Sequence, residues 1–479
     1  MLIMIMISLI ILVLAIIMNL PLILPVIYTL GYYITGKRSI ERKRDINEEK
    51  ASFIPKISIQ IPVKNERVDY IIRNIQSILS SNYPKDKLEI IIVSDDDHEG
   101  YINLVDSLEE KLSRSDLSLI RVVWRNRPQG GKAGALNDSL SLCSGDYIMV
   151  LDVDSVLEKD YFRKILQQVT DKGSVALGSW AAINTCESPF SEALALAQEF
   201  LFTTYYKYRH ALSLPVMLAG SGCILDKSVF KNVGLWDTKI ILEDVEYGLR
   251  LMLNGYKVIY VDDARLYLDV PANYRAFLVQ QSKWAYGSIQ LLKKYFKRII
   301  KNNRIPLIKR IEVLVYIAQY ISSLALIALS LLLPVLLMLS SGIVVPALGI
   351  FYTILFTSMI AYATLYLKHG LKRRLGIIRL FRLMGRASSL ATFTAPRLAL
   401  SSIKALLNLS IPRIPTPKGT RAHKYSIGDL KVEILWFIML LLLFIMVFIK
   451  YGTLYYVLWH GMLISGHIYM FRMMILRKA

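Results

Sequence analysis

The chain has 479 residues, of which 54% are hydrophobic, and it carries a formal net charge of +21 at pH 7. That hydrophobic share is high for a soluble protein, and long uncharged runs account for it. The basic residues cluster beside these runs, which argues against a nucleic-acid partner and favours the anionic surface of a lipid bilayer. The three cysteines, Cys143, Cys186 and Cys223, lack metal-binding spacing, and we expect free thiols.

Apolar runs predict about five transmembrane spans. The first is residues 1–36, which contain no charge and lack the basic start and cleavage site of a signal peptide, so we expect a retained anchor. The other four runs are Val313–Leu339, Ile343–Leu367, Ile434–Ile449 and Thr453–Met470. With the polar block after the first span on the cytoplasmic side, every basic cluster lies inside, as the positive-inside rule requires. We therefore expect a multi-pass protein of the cell membrane with a cytoplasmic domain.

These runs divide the chain into five predicted regions. In chain order they are the anchor (1–36), the cytoplasmic domain (37–310), two spans (311–367), a basic segment of helices and loop (368–430), and two further spans with a short tail (431–479). In the basic segment, apolar residues mix with arginines, a pattern typical of amphipathic helices that lie in the membrane interface.

The polar block is predicted to alternate between strands and helices. Strands are expected at 56–63, 88–93, 117–123 and 147–151, with helical patterns between them. This order predicts an α/β domain with a parallel, doubly wound sheet. Ligands bind such sheets beyond the carboxyl ends of the strands. The acids of "SDDD" and "DVD" follow the second and fourth strands, so we expect both groups at one rim.

The "DVD" motif places Asp152 and Asp154 on one side of the chain at the end of a buried strand. Two like charges so close require a cation nearby, and carboxylate oxygens suit Mg²⁺ or Mn²⁺. Solvated loop acids, or caps of the following helix, are the alternative. No Cys/His set in the sequence offers a zinc site.

The stretch "GGKAG" contains Gly130, Gly131 and Gly134 around Lys132. A glycine-rich turn with an adjacent lysine can bind phosphate through backbone N–H groups and a point charge. Its spacing is not that of a P-loop, and a flexible loop is the alternative. Beside a carboxylate-bound metal, this turn suggests a diphosphate ligand.

Two downstream motifs complete the candidate site. Glu243, Asp244 and Glu246 begin a predicted helix. Acids at this position stabilise the helix dipole. The alternative is that one of them acts as a general base. The stretch "QQSKWAYG" contributes Gln280, Lys283 and Trp284, of which the tryptophan could alternatively be a packing residue.

The ordered set "PVKNE", "SDD", "GGKAGALN", "DVD", "GSG", "LEDVEYGLRL" and "QQSKW" resembles the processive membrane glycosyltransferases of family 2. These include cellulose, hyaluronan and chitin synthases, and the mannan and glucomannan synthase branch is especially similar. The resemblance covers about 220 residues, and apolar runs on both sides of the motifs fit the same group.

The resemblance implies a GT-A fold, a nucleotide-sugar donor, inversion at the anomeric carbon and a hexosyltransferase activity. It implies the following roles: Glu66 and Asp95 at the nucleoside, Lys132 at the nucleoside or diphosphate, Asp152 and Asp154 at the metal and diphosphate, Asp244 as base, and Gln280, Lys283 and Trp284 at diphosphate and acceptor. Asp96 remains an alternative to Asp95. Lys283 stands where the family usually has arginine. Lysine keeps the positive charge but lacks the planar guanidinium, which can bind two oxygens at once.

Three functions remain open from the sequence. The first is synthesis of a β-linked polysaccharide from a UDP- or GDP-sugar, with or without export of the polymer. The second is a single transfer to a membrane lipid such as a polyprenyl phosphate or glycolipid. The third is a transporter or scaffold with an inactive enzyme domain. The stretch "RIPTPKG", 413–419, resembles the gating loop of some family members.

Overall fold

The computed structural model describes residues 2–36, 54–169, 173–339, 345–412, 414–419, 427–451 and 454–475. The strands are β1 (Ile57–Val63), β2 (Leu88–Ser94), β3 (Ile120–Trp124), β4 (Tyr147–Val150), β5 (Val156–Leu157), β6 (Val175–Ala182), β7 (Cys223–Asp226) and β8 (Val258–Leu268). The α-helices are α1 (Leu2–Gly31), α2 (Val68–Leu79), α3 (His98–Lys111), α4 (Arg114–Leu117), α5 (Gly131–Leu140), α6 (Tyr161–Leu166), α7 (Pro189–Leu201), α8 (Arg209–Ala211), α9 (Val229–Val233), α10 (Glu243–Leu253), α11 (Tyr274–Ile300), α12 (Leu307–Ala318), α13 (Ser322–Leu339), α14 (Val345–Lys372), α15 (Ile377–Leu406), α16 (Lys431–Tyr451) and α17 (Leu454–Ile475).

The eight strands form one mixed sheet in the order β3-β2-β1-β4-β7-β6-β8-β5. The first four strands are parallel, as predicted. The sheet as a whole is mixed, because β7, which was not among the predicted strands, runs antiparallel between β4 and β6, and β5 runs antiparallel to β8. Beyond β4 in this order, parallel pairing occurs only between β6 and β8 among the described residues.

Both faces of the parallel half are buried, as sheets of this kind require. Ile90 and Ile92 of β2 face one core, where α2 contributes Ile75. Ile91 of the same strand faces the opposite core, where α5 contributes Leu136. The buried polar side chain of Gln60 within β1 is hydrogen-bonded to Leu136 and Ser139, and the predicted acids lie beyond the carboxyl ends of the strands.

Four helical segments are long and apolar enough to cross a membrane in the part of the chain that the structure describes. They are Met6–Thr35, Leu307–Met338, Leu348–Lys372 and Gly428–Lys450, and they correspond to four of the five predicted spans. The fifth predicted span forms α17, whose histidines and tyrosines make it less apolar, so its crossing stays a prediction. The predicted basic segment contains one long helix, α15, which packs against α7 and α11 of the α/β domain and against α13 and α17.

A buried ion pair attaches the α/β domain to the apolar helices. Arg209 is fully buried, and its Nε lies 2.9 Å from Oε1 of Glu312. The Tyr28 hydroxyl donates to the same carboxylate at 2.6 Å, and the Tyr316 ring lies 3.9 Å from the guanidinium. This group connects α8 to α1 and α12. Each of its charges is compensated, as burial requires.

We predict that Arg209→Met lowers the free energy of unfolding by about 3–5 kcal/mol, because it leaves the Glu312 carboxylate uncompensated in a buried site. Denaturant unfolding of the detergent-solubilised protein measures this change. Lys85→Met is the control: its exposed ion pair with Asp116, 2.9 Å long, should contribute about 0–1 kcal/mol. Equal losses in the two variants would contradict the assignment.

Candidate active site

A cavity of about 490 Å³ opens at the carboxyl ends of β1, β2 and β4. The structure brings all nine residues predicted for the site into its lining: Glu66, Asp95, Lys132, Asp152, Asp154, Asp244, Gln280, Lys283 and Trp284. They come from strand ends, from α5, from the first turn of α10 and from α11. The cavity therefore joins segments more than 200 positions apart in the chain.

The Lys132 ammonium lies at the centre of this arrangement. It donates to Oδ1 of Asp152 at 2.6 Å and to the carbonyl oxygen of Gly220 at 2.7 Å, and it lies 3.6 Å from Oε1 of Glu243. Burial alone would lower the pKa of Lys132, but the Asp152 and Glu243 carboxylates outweigh it and hold that pKa above its ordinary value. The lysine is thus a fixed positive charge at the bottom of the cavity.

Asp244 lies on the other side of Gly220. Its Oδ2 accepts from the Gly220 backbone N–H at 2.5 Å, and its Oδ1 accepts from that of Val245 at 2.8 Å. A Cβ on Gly220 would lie 3.3 Å from Oδ2 of Asp244 and 3.5 Å from Nζ of Lys132, so a side chain there would crowd both groups. Burial raises the pKa of Asp244 above its ordinary value. A carboxylate with a raised pKa is a better proton acceptor, which suits a general base.

Asp154 is paired with a lysine from a distant loop. Nζ of Lys418 lies 2.6 Å from Oδ1 of Asp154 and 3.8 Å from Oε1 of Glu66. Burial raises the pKa of Glu66 to about 7, although the Lys418 ammonium opposes that shift. Lys283 contacts the same loop, since its Nζ donates to Oγ1 of Thr416 at 3.1 Å. The described part of the stretch that resembles a gating loop, 414–419, thus lies over the cavity, whereas Arg413 lies outside the described residues.

Asp95, and not Asp96, faces the cavity. Its Oδ1 pairs with Nη1 of Arg125 at 2.7 Å, and both side chains are buried. The Asp96 carboxylate instead accepts from the Ser94 hydroxyl at 3.2 Å and from the backbone N–H of Asn65. Asp96 therefore holds the loop after β1, and Asp95 is the acid available to a ligand.

The donor set at Asp152 and Asp154 fits a divalent metal. Both carboxylates line the cavity, and each lies within hydrogen-bond distance of a lysine ammonium, Lys132 or Lys418, so positive charge is favoured at this position. Oxygen-only ligands suit Mg²⁺ or Mn²⁺. Within the described residues no group of three or more His, Cys, Asp or Glu could hold a metal. The two aspartates would therefore share the ion with ligand oxygens and water.

Several residues of the cavity were not singled out from the sequence. Arg125 and Lys418 are isolated basic residues in loops, where no spacing indicates which carboxylate they approach. Gly220 belongs to the "GSG" motif, which marked its position but not its contacts. Glu243 was noted only as an acid of a helix N-terminus. Trp180 and Gln198 also line the cavity.

Comparisons with known proteins show which family the sequence matches. Residues 58–234 match the family model described as "Glycosyl transferase family 2", and residues 147–367 match "Glycosyl transferase family group 2". A probable glycosyltransferase of Sulfolobus acidocaldarius is 29% identical over 388 residues, which are 80% of this chain and 82% of that protein. Glucomannan 4-beta-mannosyltransferase 1 of Oryza sativa is 25% identical over 276 residues, 56% of this chain, and the match spans about half (52%) of that protein.

One solved structure supports the fold. A mannosyltransferase from Pyrobaculum calidifontis, in complex with GDP-Man and Mn²⁺, superposes with a TM-score of 0.52 at 18% identity. The superposition covers 84% of this chain and 100% of that one. At this identity the similarity establishes the fold alone.

We predict that Arg125→Met weakens nucleotide binding about tenfold or more, because Asp95 loses a charge-assisted hydrogen bond that orients it. Isothermal titration with GDP and with UDP measures the affinity. Arg127→Met removes an exposed charge two residues further along and should leave the affinity unchanged. If Arg125→Met and the unaltered protein bound the nucleotides with equal affinity, Asp95 would be excluded as a nucleoside-binding residue.

The pH dependence of the reaction should follow Asp244. A base must be deprotonated, so kcat/KM should rise with pH and level off above the pKa of Asp244. Glu243 lies beside it, and burial raises the pKa of Glu243 to about 7. Burial raises the pKa of Asp244 as well, so we predict that the rise lies at higher pH than it would for an ordinary aspartate. A kcat/KM that does not fall as the pH is lowered would exclude Asp244 as the titrating base.

Proposed function

Because this chain belongs to glycosyltransferase family 2, we propose that it is an inverting hexosyltransferase that transfers mannose from GDP-mannose to a glycan acceptor. The catalytic domain has the GT-A type of α/β fold. The names of the plant relatives and of the Pyrobaculum enzyme support mannose as the sugar, within the wider class of UDP- and GDP-sugars that the motifs allow. The observation that carries the proposal is the joint contact of Lys132 with Asp152 and with Gly220, whose N–H binds Asp244.

In the proposed reaction, Asp244 is the base. An acceptor hydroxyl is a poor nucleophile at neutral pH, and Asp244 takes its proton as the oxygen attacks the anomeric carbon. The new C–O bond forms on the face opposite the donor diphosphate. The bond between the anomeric carbon and the diphosphate oxygen breaks, so the nucleoside diphosphate leaves with the bonding electron pair.

The leaving diphosphate is stabilised by positive charge around it. Lys132 and Lys283 supply positive charge. Lys283 is buried, which lowers its pKa and leaves its ammonium weakly solvated, so that a phosphate would be a favourable partner. When bound at Asp152 and Asp154, Mg²⁺ or Mn²⁺ would add electrostatic stabilisation of the same oxygens. Trp284 and Gln280 line the cavity beside Lys283 and would position the acceptor sugar.

The proposed location is the cytoplasmic side of the cell membrane, as the charge distribution favours. The acceptor is either a growing β-linked polysaccharide, with possible export, or a lipid-linked glycan. Either would be presented to the cavity beside the four apolar segments.

The proposal is tested by incubating the purified full-length protein with labelled GDP-mannose, GDP-glucose, UDP-glucose or UDP-N-acetylglucosamine, with Mg²⁺ or Mn²⁺ and membrane lipid extract. We expect transfer from GDP-mannose, and a loss of about a thousandfold or more in Asp244→Asn, because that variant keeps the shape of the base but cannot accept the proton. Glu246→Gln is unsuitable as a control, since that acid is buried in an ion pair with Arg250. Asp263→Asn, which replaces an exposed acid of β8 outside the cavity lining, is the control and should retain activity. No transfer from any donor would overturn the proposal.

Metal binding is predicted to depend on Asp154. We expect Asp154→Asn to weaken binding of Mn²⁺, measured by electron paramagnetic resonance in the presence of GDP, by about tenfold or more, because one anionic oxygen ligand is lost. Asp160→Asn, which removes an acid six positions further along outside the cavity lining, is the control. Equal Mn²⁺ affinities in all three proteins would exclude this metal site.

A further inference from the structure

A second cavity, of about 1030 Å³, lies between the catalytic domain and the apolar helices. One wall is formed by β6, by α7 and by the end of β8. The opposite wall is formed by the end of α14 and the start of α15. No step of the reaction described above uses this cavity.

The second cavity is lined by five lysines and arginines and by four acids, and most of the basic side chains are paired with acids. Arg379 pairs with Glu192 at 2.8 Å, and Arg373 pairs with Glu199. Two basic residues of the lining, Arg265 and Lys372, form no ion pair with a carboxylate in the part of the chain that the structure describes. Arg265 comes from β8 and Lys372 from α14, so the two free charges lie on opposite walls. Such a cavity favours an anionic ligand.

The position of Lys372 relates the cavity to the membrane surface. It is the last residue of the apolar segment Leu348–Lys372. Its ammonium lies against the hydroxyl of Tyr33, near the end of the first apolar segment. The neighbouring Tyr32 stacks on Tyr208 of the cavity wall, with ring centroids 4.2 Å apart. Tyrosines and lysines at the ends of spans mark the lipid headgroup region, so the cavity lies at headgroup level.

The second cavity adjoins the candidate active site at Trp180, which lines both. The Trp180 indole N–H donates to the carbonyl oxygen of Ser221 at 2.9 Å, and the Ser221 hydroxyl accepts from the backbone N–H of Asp152 at 2.9 Å. On α7, Gln198 lines the first cavity and Glu199 the second. Nε2 of Gln198 is buried without a hydrogen-bond partner among the described residues. An unpaired amide donor beside an aromatic ring suits a sugar, which offers both hydroxyls and an apolar face.

We propose that the second cavity binds the phosphate group of a lipid-linked acceptor, with Arg265 and Lys372 as its charged partners. The lipid chain then lies in the bilayer beside α14, and the sugar attached to the phosphate passes Trp180 and Gln198 to reach Asp244. This inference rests on the proposed function, and of the two acceptor classes it selects the lipid-linked glycan. The cavity opens at headgroup level, where a lipid phosphate is held by its own apolar chain.

The test uses the full-length protein in detergent micelles, with polyprenyl phosphate and the uncharged polyprenol of the same length as probes. Native mass spectrometry measures the occupancy of each. We expect the phosphate to bind at least about tenfold more tightly than the alcohol, and Lys372→Gln and Arg265→Gln each to weaken it about tenfold, because each removes a charge-assisted hydrogen bond. Lys368→Gln is the matched control. It removes the same charge one turn earlier, where the ammonium lies over the Tyr33 ring outside the cavity lining.

The inference would be overturned if polyprenyl phosphate and polyprenol bound equally, or if Lys368→Gln weakened binding as much as Lys372→Gln. It would also be overturned if phosphatidylglycerol competed as well as polyprenyl phosphate, because the cavity would then be a general site for anionic lipids. Titration with GDP and Mn²⁺ on the same samples separates the two proposals. A protein that binds polyprenyl phosphate but no nucleotide would keep the lipid site and overturn the donor assignment. A protein that binds GDP normally but not polyprenyl phosphate would keep the donor assignment and overturn the lipid site.

Discussion

The Lys132 ammonium is the charge on which the candidate active site depends. The cavity concentrates carboxylates from five segments of the chain, and without compensating cations their mutual repulsion would oppose folding. Lys132 touches Asp152 and the Gly220 carbonyl, and through the Gly220 backbone it is coupled to Asp244. One side chain thus sets the relative positions of Asp152, proposed to bind the metal and diphosphate, and Asp244, the proposed base.

At the other end of the cavity, the positive charge that balances the carboxylates comes from a loop. Lys418 approaches Asp154 from 264 positions further along the chain, and Thr416 of the same loop accepts from Lys283. The loop therefore depends on the charges of the cavity for part of its position. A ligand that brings its own metal ion and phosphates would change those charges, which connects the state of the loop with occupancy of the site.

Buried ion pairs also connect the catalytic domain with the apolar helices. Arg209 contacts Glu312. On the other side of the molecule Glu433 is fully buried and accepts from Arg397 at 2.8 Å and from the Tyr274 hydroxyl at 2.6 Å. Tyr274 begins α11, the helix that carries Gln280, Lys283 and Trp284. The helix that carries the residues proposed to bind the acceptor is therefore attached through short contacts to α15 and to the apolar segment Gly428–Lys450.

The sequence by itself determined the features that depend on local pattern. Apolar periodicity located β1, β2 and β4, and the residues directly after them are the acids that line the cavity, because side chains at strand ends leave the core. Uncharged length located the four apolar segments. Tertiary structure alone decided the direction of β7, the pairing of Arg125 with Asp95, the approach of Lys418 to Asp154 and the second cavity beside Trp180. Strand direction and charge pairing are set by which distant segments pack together, and an isolated basic residue in a loop carries no local signal of its partner.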